Sequence, residues 1–319
     1  MQWQLGKALR AGDEVAVVLP AGGIRDQGAF AHGMARLRAW GLRPTVLPDG
    51  AEHHRLDWPE GSPLAATDDA RLAALQRALA EPRFRAVFCG RGGYGTTRLL
   101  DALDWRPLTA DPKPIVGYSD VTALLCGAAV GAHLVGFHGP MVATVAAMDP
   151  GQDGWRLQHR LLTEAGGSVE LPPRRDALAL VAGDATGPLV GGNLAVLQSL
   201  IGTPWSPPID GALLFLEDIG EAPYRVDRML TQLRQCGWFT RAAGILLGDF
   251  HVDGTELASA HAPMQQVLAE RLADLDIPVA CGLPFGHRPG AWTLPFGGRA
   301  RLVATENSVH LTLLEPSVR

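Results

Sequence analysis

One short segment identifies the class of fold: Pro114-Ile115-Val116-Gly117-Tyr118-Ser119-Asp120-Val121-Thr122. The apolar run Pro114–Val116 predicts a strand, and Asp120–Val130 has the length and composition of a helix that follows almost without a loop. Such a succession is typical of the β-α units of a parallel sheet. The side chain of Ser119 would therefore project above the carboxyl edge of that sheet, where α/β proteins carry their sites.

Strands and helices alternate in the same way through the first half of the chain. The other predicted strands are Glu14–Leu19, Pro44–Leu47, Ala86–Cys89 and His133–Phe137, and the predicted helices are Asp26–Trp40 and Asp68–Ala80. Thr67 is a candidate N-cap of the second helix, and Gly41 closes the first. This half is therefore predicted to be an α/β domain built on a parallel sheet.

The composition changes between Gly166 and Gly187, where glycine, proline and charge replace helix-forming residues. We interpret 166–187 as an interdomain linker between an N-terminal domain, 1–165, and a C-terminal domain, 188–319. In the latter the predicted elements are helices Asn193–Ile201, Tyr224–Cys236 and Pro263–Ala273 and strands Ala212–Leu216, Gly244–Leu247, Pro278–Ala280, Ala300–Ala304 and Ser308–Leu314. The mixture is α+β, and the last two strands are predicted to form a hairpin.

The composition is that of a globular protein of about two domains. The 319 residues are 47% hydrophobic and 19% charged, and 28 Lys+Arg against 33 Asp+Glu give a net charge of -5. This balance argues against a nucleic-acid partner and against disorder. Lys7 and Lys113 are the only lysines, so the sequence holds neither a P-loop nor an S-x-x-K motif.

The cysteines and the N-terminal residues favour a reduced, cytoplasmic protein. No C-x-x-C pair occurs among Cys89, Cys126, Cys236 and Cys281, and the N-terminal residues lack the apolar run of a signal peptide. The long apolar segment Val121–Val145 is interrupted by histidine, glycine and proline, so neither a membrane span nor a membrane partner is predicted.

Ser119 has the position of a serine nucleophile. A hydroxyl on a strand-to-helix turn lies beside a helix N-terminus, which favours a developing oxyanion, and the backbone N–H of Asp120 follows directly. Val121 stands where the G-x-S-x-G motif has its second glycine, so the motif is incomplete. The alternative is that Ser119 simply caps the helix.

The glycine-rich loop Cys89-Gly90-Arg91-Gly92-Gly93-Tyr94-Gly95 permits two interpretations. It fits the dinucleotide fingerprint G-x-G-x-x-G, although it follows the third predicted strand rather than the first. Alternatively, the loop contributes to an oxyanion hole. The backbone N–H of Gly92 or Gly93 and the backbone N–H of Asp120 would then donate to the same substrate oxygen.

A carboxylate and a histidine complete the candidate chemistry. Glu217 follows an apolar strand, and a carboxylate there accepts the Nδ1–H of a histidine and fixes its tautomer. The alternative is that Glu217 and its acidic neighbours favour the N-terminus of the helix at Tyr224. His287, in a loop shaped by glycine and proline, is the first choice of histidine, and His138 is its rival.

No metal site is predicted. His53 and His54 have no partner at ligand spacing, and the sequence holds neither H-E-x-x-H nor a cysteine-histidine cluster. We therefore expect neither a metal ion nor a cofactor.

Five motifs occur in an order that points to one family. They are GYSD from Gly117, the upstream RGGYG from Arg91, LFLEDIGEAPYRVDRML from Leu214, ILLGDF from Ile245 and GLPFGH from Gly282. Together they resemble the LD-carboxypeptidases, serine peptidases that include muropeptide LD-carboxypeptidases and microcin C immunity peptidases. The resemblance covers nearly the whole chain, with one departure at Pro20-Ala21-Gly22, where the family usually has Pro-Ser.

The resemblance implies a catalytic role for three residues. Ser119 would be the nucleophile, His287 the general base and acid, and Glu217 the carboxylate that orients the histidine. The resemblance also implies a Rossmann-like N-terminal domain, a smaller α+β C-terminal domain of the swivelling type, and a homodimer.

The implied substrate is a murein tetrapeptide, from which the enzyme releases the terminal D-Ala in the cytoplasm during peptidoglycan recycling. The backbone of Asp120, with that of Gly92 or Gly93, would form the oxyanion hole. A carboxypeptidase must also bind a free carboxylate. Candidate substrate-binding residues are Arg91, Tyr94, Asn193 and Arg288.

Three other functions remain open at this point. A microcin-type immunity peptidase of the same family would cleave the amide of an aminoacyl-adenylate analogue, and Trp155 or Trp205 would serve as its platform for adenine. An NAD(P)-dependent oxidoreductase would use the loop from Gly90 to Gly95. A non-catalytic binding module would keep the site as a relic.

Overall fold

Two β-sheets organise the chain in the computed structural model, which describes residues 2–48, 63–145, 153–172, 174, 176–251 and 257–319. The strands, in chain order, are β1 (Glu14–Val18), β2 (Arg43–Val46), β3 (Phe84–Cys89), β4 (Ile115–Gly117), β5 (Gly136–His138), β6 (Val169–Glu170), β7 (Leu178–Val181), β8 (Gly183–Asn193), β9 (Leu213–Ile219), β10 (Gly244–His251), β11 (Val279–Cys281), β12 (Leu294–Phe296), β13 (Arg299–Thr305) and β14 (Ser308–Leu313).

Helices connect most of these strands. They are α1 (Gln27–Ala39), α2 (Asp68–Ala80), α3 (Arg106–Ala110), α4 (Thr122–Ala132), α5 (Val142–Val145), α6 (Asp153–Thr163), α7 (Leu194–Leu200), α8 (Pro223–Gln235), α9 (Trp238–Arg241) and α10 (Leu257–Leu272), with 3-10 turns at Thr96–Ala102 and Ser119–Val121. In the part of the chain that the structure describes, no helix is both long enough and apolar enough to cross a membrane. His53 and His54 lie outside the described residues.

The first sheet has the strand order β12-β5-β4-β3-β1-β2. Strands β1 to β5 run parallel, and β12 pairs antiparallel with β5. The predicted α/β class with a parallel sheet is confirmed. Because β3 and β4 are neighbours, the loops that leave their carboxyl ends meet at one edge of the sheet, which brings the glycine-rich loop to Ser119.

The second sheet has the strand order β6-β14-β13-β8-β9-β10-β11-β7. Its centre, β8 to β11, is parallel, and its sides are antiparallel. The predicted hairpin of β13 and β14 is confirmed. The apolar run Leu213–Leu216 of β9 is completely buried, so Glu217 at the end of the run also lies in the interior.

The segment 166–187, which its composition marked as a linker, carries β6, β7 and the beginning of β8. Strands β6 and β7 are the two edge strands of the second sheet, and both are short, as edge strands often are. In β8, a Cβ added to Gly191 would lie 1.8 Å from the carbonyl oxygen of Phe215. Its glycines therefore serve close strand packing.

The two halves of the chain also share the first sheet. Strand β12 belongs to the predicted C-terminal domain, yet it completes the sheet that carries Ser119. Leu294-Pro295-Phe296 is too short to stand out in the sequence, and its proline argues against a strand except at an edge, which is where it lies.

Candidate active site

Ser119 lies on a strained turn at the carboxyl end of β4. Its φ is +63°, and the 3-10 turn Ser119–Val121 leads directly into α4. An L-residue in this left-handed region costs about 1–2 kcal/mol, and strain of this kind clusters at functional sites. Ser119 is half-buried, and its side chain makes no capping hydrogen bond to α4. The alternative of a simple helix cap is therefore wrong.

Gly92 lies directly beside the hydroxyl of Ser119. A Cβ added to Gly92 would be 3.0 Å from Ser119 Oγ. The loop is fixed to the turn, because the backbone N–H of Thr96 donates to Asp120 Oδ2 at 2.9 Å in the interior. Burial raises the pKa of Asp120, and the hydrogen bonds from Thr96 partly oppose this shift. The two predicted oxyanion elements are thus joined by a buried contact.

The dinucleotide interpretation of this loop finds little support. The element that follows it, Thr96–Ala102, is a 3-10 turn rather than the α-helix whose N-terminus receives a pyrophosphate.

Replacing Gly92 with alanine is expected to lower kcat about 100-fold, since a shift of about 1 Å in a catalytic group has an effect of that size. The new Cβ would press on both Cβ and Oγ of Ser119. Steady-state hydrolysis of the peptide substrate measures the effect. Gly166 is the matched control, because a Cβ there meets nothing within 4 Å. Similar rates for the Gly92→Ala and Gly166→Ala variants would contradict the prediction.

Glu217 and His287 form a pair. Glu217 lies within β9 with its side chain completely buried, and His287 Nδ1 is 2.7 Å from Glu217 Oε2. The ring N–H donates to the carboxylate, which leaves Nε2 as the acceptor nitrogen. Glu217 belongs to a strand and not to the start of α8, so the alternative of a helix-terminal acid is wrong.

Gly286 allows His287 to approach the carboxylate. Its φ is +100°, and a Cβ added there would lie 2.7 Å from Glu217 Oε2. Burial alone would lower the pKa of His287, but the hydrogen bond and charge of Glu217, with Asp218 and Asp249 beyond it, outweigh burial and raise the pKa.

Tyr118 connects the Glu217–His287 pair to the turn that carries Ser119. Its ring packs on the His287 ring with 4.8 Å between centroids, and it immediately precedes Ser119. The side chain of Tyr118 is buried, and burial raises its pKa to about 12. A neutral aromatic ring therefore joins the element that carries the serine to the element that carries the histidine.

His138, the rival histidine, is completely buried between the rings of Tyr118 and Phe215. Burial, followed by the charge of His287, lowers its pKa to about 3, so it is neutral at physiological pH. Among the described residues neither of its ring nitrogens has a hydrogen-bond partner. The geometry thus favours His287 as the partner of Glu217.

A chain of buried hydrogen bonds connects the two sheets behind these residues. The backbone N–H of Asn193 donates to Thr122 Oγ1 at 3.0 Å, and its Nδ2 donates to Asp218 Oδ1 at 3.0 Å. Asn193 Oδ1 caps α7 by accepting from Val196. Burial, and then the charge of Glu217, raise the pKa of Asp218 to about 6. No sequence motif marks this chain of hydrogen bonds, because its members are far apart along the polypeptide.

Replacing Asn193 with alanine is expected to lower the free energy of unfolding by about 2 kcal/mol, since a helix cap and a buried hydrogen bond to a carboxylate are lost. Urea unfolding at constant m-value measures the change. Ser199→Ala, on the exposed side of the same helix, is the control and should change the value by less than about 0.5 kcal/mol. Equal values for both variants would refute the structural role of Asn193.

The other predicted substrate-binding residues lie in different surroundings. Tyr94 is 49% exposed in the glycine loop, and Arg288 is half-buried next to His287. Trp155 packs on Trp40 with 4.5 Å between ring centroids, and Trp205 Nε1 donates to Asp101 at 2.5 Å. Both tryptophans considered as adenine platforms are thus engaged within the protein.

Comparison with known sequences agrees with these features. Sequence profiles of the LD-carboxypeptidase N-terminal and C-terminal domains match residues 15–139 and 186–302. A murein tetrapeptide carboxypeptidase of Pseudomonas aeruginosa is 36% identical over 249 residues, which are 75% of this chain and 79% of that protein. The chain belongs to the LD-carboxypeptidase family. It is accordingly a serine-type carboxypeptidase, a hydrolase, as the sequence motifs predicted.

Further relatives match nearly the whole length of this chain. A Bacillus subtilis protein named "Probable murein peptide carboxypeptidase" is 35% identical over 305 residues, 95% of this chain and 92% of its own. The crystal structure of a muramoyltetrapeptide carboxypeptidase from Oxalobacter formigenes has a TM-score of 0.79 at 31% identity and covers 95% of this chain and 99% of that one. An MccF-like protein from Bacillus anthracis has a TM-score of 0.85 at 26% identity, with 98% and 99% covered.

Proposed function

We propose that this LD-carboxypeptidase releases the terminal D-Ala from murein tetrapeptides, with Ser119, His287 and Glu217 as its catalytic triad. The observation that carries the proposal is the 2.7 Å contact of His287 Nδ1 with the buried Glu217, next to a serine in a strained turn. The murein-peptide names of relatives at 35 and 36% identity support the substrate class.

In the proposed reaction, His287 Nε2 takes the proton of Ser119 Oγ while the oxygen attacks the carbonyl of the diamino acid. The imidazolium is stabilised by Glu217 and returns the proton to the amine of the departing D-Ala. Water, activated by the same histidine, then hydrolyses the acyl-enzyme. In the first step one proton passes from Ser119 through His287 to the departing amine. In the second step one proton passes from water through His287 to Ser119 Oγ, which is then the leaving group.

The oxyanion of the tetrahedral intermediate would be bound by the backbone N–H groups of Asp120 and of Gly92 or Gly93. Gly92 is close enough to Ser119 Oγ for this role, and Asp120 lies at the start of the turn into α4. Removal of one oxyanion donor costs about 2.7–4 kcal/mol in other serine hydrolases.

The direct test is incubation of the protein with L-Ala-γ-D-Glu-meso-diaminopimelate-D-Ala, with release of D-Ala followed by mass spectrometry. The same peptide ending in L-Ala is the matched control and should stay intact. Release of both alanines at equal rates would contradict the stereochemical assignment, and release of neither would contradict the proposed function.

The pH dependence of the reaction follows from the raised pKa of His287. Only the neutral imidazole accepts the serine proton, so kcat/KM should rise with pH through a midpoint above the ordinary value of 6.5. Below the midpoint the ring is protonated and activity is lost. Initial rates at low substrate between about pH 5 and pH 9 measure the profile. A midpoint clearly below the ordinary value would contradict the Glu217–His287 pairing in the active enzyme.

The likeness to an MccF-like protein gives a second candidate, cleavage of an aminoacyl-adenylate analogue. It ranks second because Trp155 and Trp205 are both engaged within the protein. An aminoacyl sulfamoyl adenosine incubated in parallel with the tetrapeptide compares the two. We also propose that the protein is cytoplasmic, since the proposed substrate is a peptide of murein recycling, and that it is a homodimer, as the family resemblance implies.

A further inference from the structure

The guanidinium of Arg91 lies close to the glycines that pack on Ser119. Its Nη1 donates to the carbonyl oxygen of Gly23 at 3.1 Å. A Cβ added to Gly93 would be 3.9 Å from Arg91 Nη1, and one added to Gly92 would be 3.0 Å from Ser119 Oγ. Two consecutive glycines therefore separate the charge from the nucleophile.

This separation fits the chemistry of a carboxypeptidase. In a substrate, three bonds of about 4 Å in total join the scissile carbonyl carbon to the terminal carboxylate carbon, and a charge-assisted hydrogen bond adds about 2.8 Å. A group that binds the terminal carboxylate is thus expected about 7 Å from the scissile carbonyl carbon, and Arg91 is the cation next to the two glycines that adjoin Ser119.

Arg91 has no counter-ion in the described ranges. It makes one hydrogen bond there, to a carbonyl oxygen, and no ion pair. Burial lowers the pKa of its guanidinium, and the nearby charge of Arg25, which likewise has no ion pair among the described residues, lowers it further. Arg98, seven residues later in the same segment, is instead neutralised by Asp68 at 2.8 Å. Two uncompensated positive charges lie together beside the candidate active site.

The other candidates for this role are less suited to it. Both polar side-chain atoms of Asn193 are engaged, one with Val196 and one with Asp218. The charge of Arg288 already acts on Asp176, whose pKa is lowered first by Arg174 and to a smaller extent by Arg288. Arg91 combines a half-buried position next to the glycines at Ser119 with the lack of an ion-pair partner among the described residues.

Building on the proposed function, we propose that Arg91, assisted by Arg25, binds the free α-carboxylate of the C-terminal residue of the peptide substrate. A guanidinium offers two parallel N–H groups to a carboxylate and is stronger in this role than an ammonium. A peptide that continues, or that ends in an amide, leaves Arg91 unpaired in a half-buried position. The residue therefore restricts the enzyme to cleavage of the last amide bond.

The test compares two peptides that differ only at the terminus, the tetrapeptide ending in D-Ala and the same peptide ending in D-Ala amide. Binding is measured by calorimetry in the Ser119→Ala variant, so that turnover plays no part. We expect the acid to bind about 10- to 100-fold more tightly than the amide, the range for hydrogen bonds to charged groups. Adding Arg91→Met should remove this preference by weakening the acid alone.

Two further variants keep the result clear. Arg98→Met removes the same charge from an ion-paired arginine of the same segment and should leave the preference unchanged. Arg91→Lys keeps the charge without the paired donors and should retain part of the preference, which also covers the case in which the methionine variant does not fold. Equal binding of acid and amide before substitution, or equal loss of both in Arg91→Met, overturns the proposal.

The same experiment separates this inference from the proposed function. An Arg91-dependent preference for the acid, together with a wild type that releases no D-Ala, would overturn the proposed reaction and leave the carboxylate site standing. If the wild type releases D-Ala but the Ser119→Ala variant binds acid and amide equally, the proposed reaction stands and the carboxylate site is overturned. Failure of both peptides to bind at all, together with no release of D-Ala, would overturn both.

Discussion

Replacement of Ser119 by alanine should lower kcat for D-Ala release by a factor on the order of 10⁶, the loss seen when the nucleophile of a serine triad is removed. The reason is that the Ser119 hydroxyl lies beside Gly92 in the turn between β4 and α4 and is lost in this variant. Mass-spectrometric detection of D-Ala measures the rate, and an acyl-enzyme adduct should form in the wild type only. Ser168→Ala, at an exposed position just before β6, is the matched control.

The same position offers a test of the backbone strain. Because glycine adopts a positive φ without steric cost, Ser119→Gly should unfold with a free energy about 1 kcal/mol higher than Ser119→Ala. Both variants should be equally inactive. If Ser119→Ala or Ser119→Gly keeps more than about one hundredth of wild-type kcat, Ser119 is not the nucleophile, since the expected loss is far larger.

Replacement of Glu217 by glutamine should lower kcat about 10⁴-fold, as happens when the carboxylate of a triad becomes an amide. The side chain keeps its size in a completely buried position, but its NH₂ group now favours the wrong tautomer of His287. The pKa of His287 should fall as well, since the hydrogen bond and charge of Glu217 are the main factors that raise it against burial. The residual activity should then extend to lower pH.

Glu221→Gln serves as the control for Glu217→Gln. Glu221 follows four residues later and pairs with Arg225 at 3.6 Å, so its loss removes the same charge from the same segment. Its kcat and pH profile should equal those of the wild type. A Glu217→Gln variant with less than a tenfold loss of kcat and an unchanged pH profile would show that the pair has no part in proton transfer.

The parallel sheet was accessible from the sequence because its signals are local. The alternation of short apolar runs with helix-length segments placed β1 to β5 within a few residues of their observed bounds. The bounds of α2 were predicted correctly because Thr67 caps it, accepting from the N–H of Ala70 at 3.2 Å. Local hydrogen bonds and hydrophobic periodicity depend only on residues that are close together in the sequence. The family motifs could be recognised for the same reason.

Elements that depend on distant partners were not accessible in this way. The edge strands of the second sheet lie in 166–187 and were interpreted as a linker, since an edge strand differs from a loop only through the strand that it pairs with. The pairing of β12 with the first sheet was not predicted for the same reason. Its three residues form a strand only because β5 is there to receive them.

For the candidate site, the serine on its turn, the neighbouring glycine loop, the preference for His287 over His138 and the family could all be read from the sequence alone. The tertiary structure added the 2.7 Å contact that joins His287 to Glu217, because the two residues are 70 positions apart. It also decided that Asn193 is held by Thr122 and Asp218, and that Arg91 has no ion pair with any of the described residues. Chemical type is a property of each residue, whereas pairing, burial and the resulting pKa exist only once the two sheets have packed together.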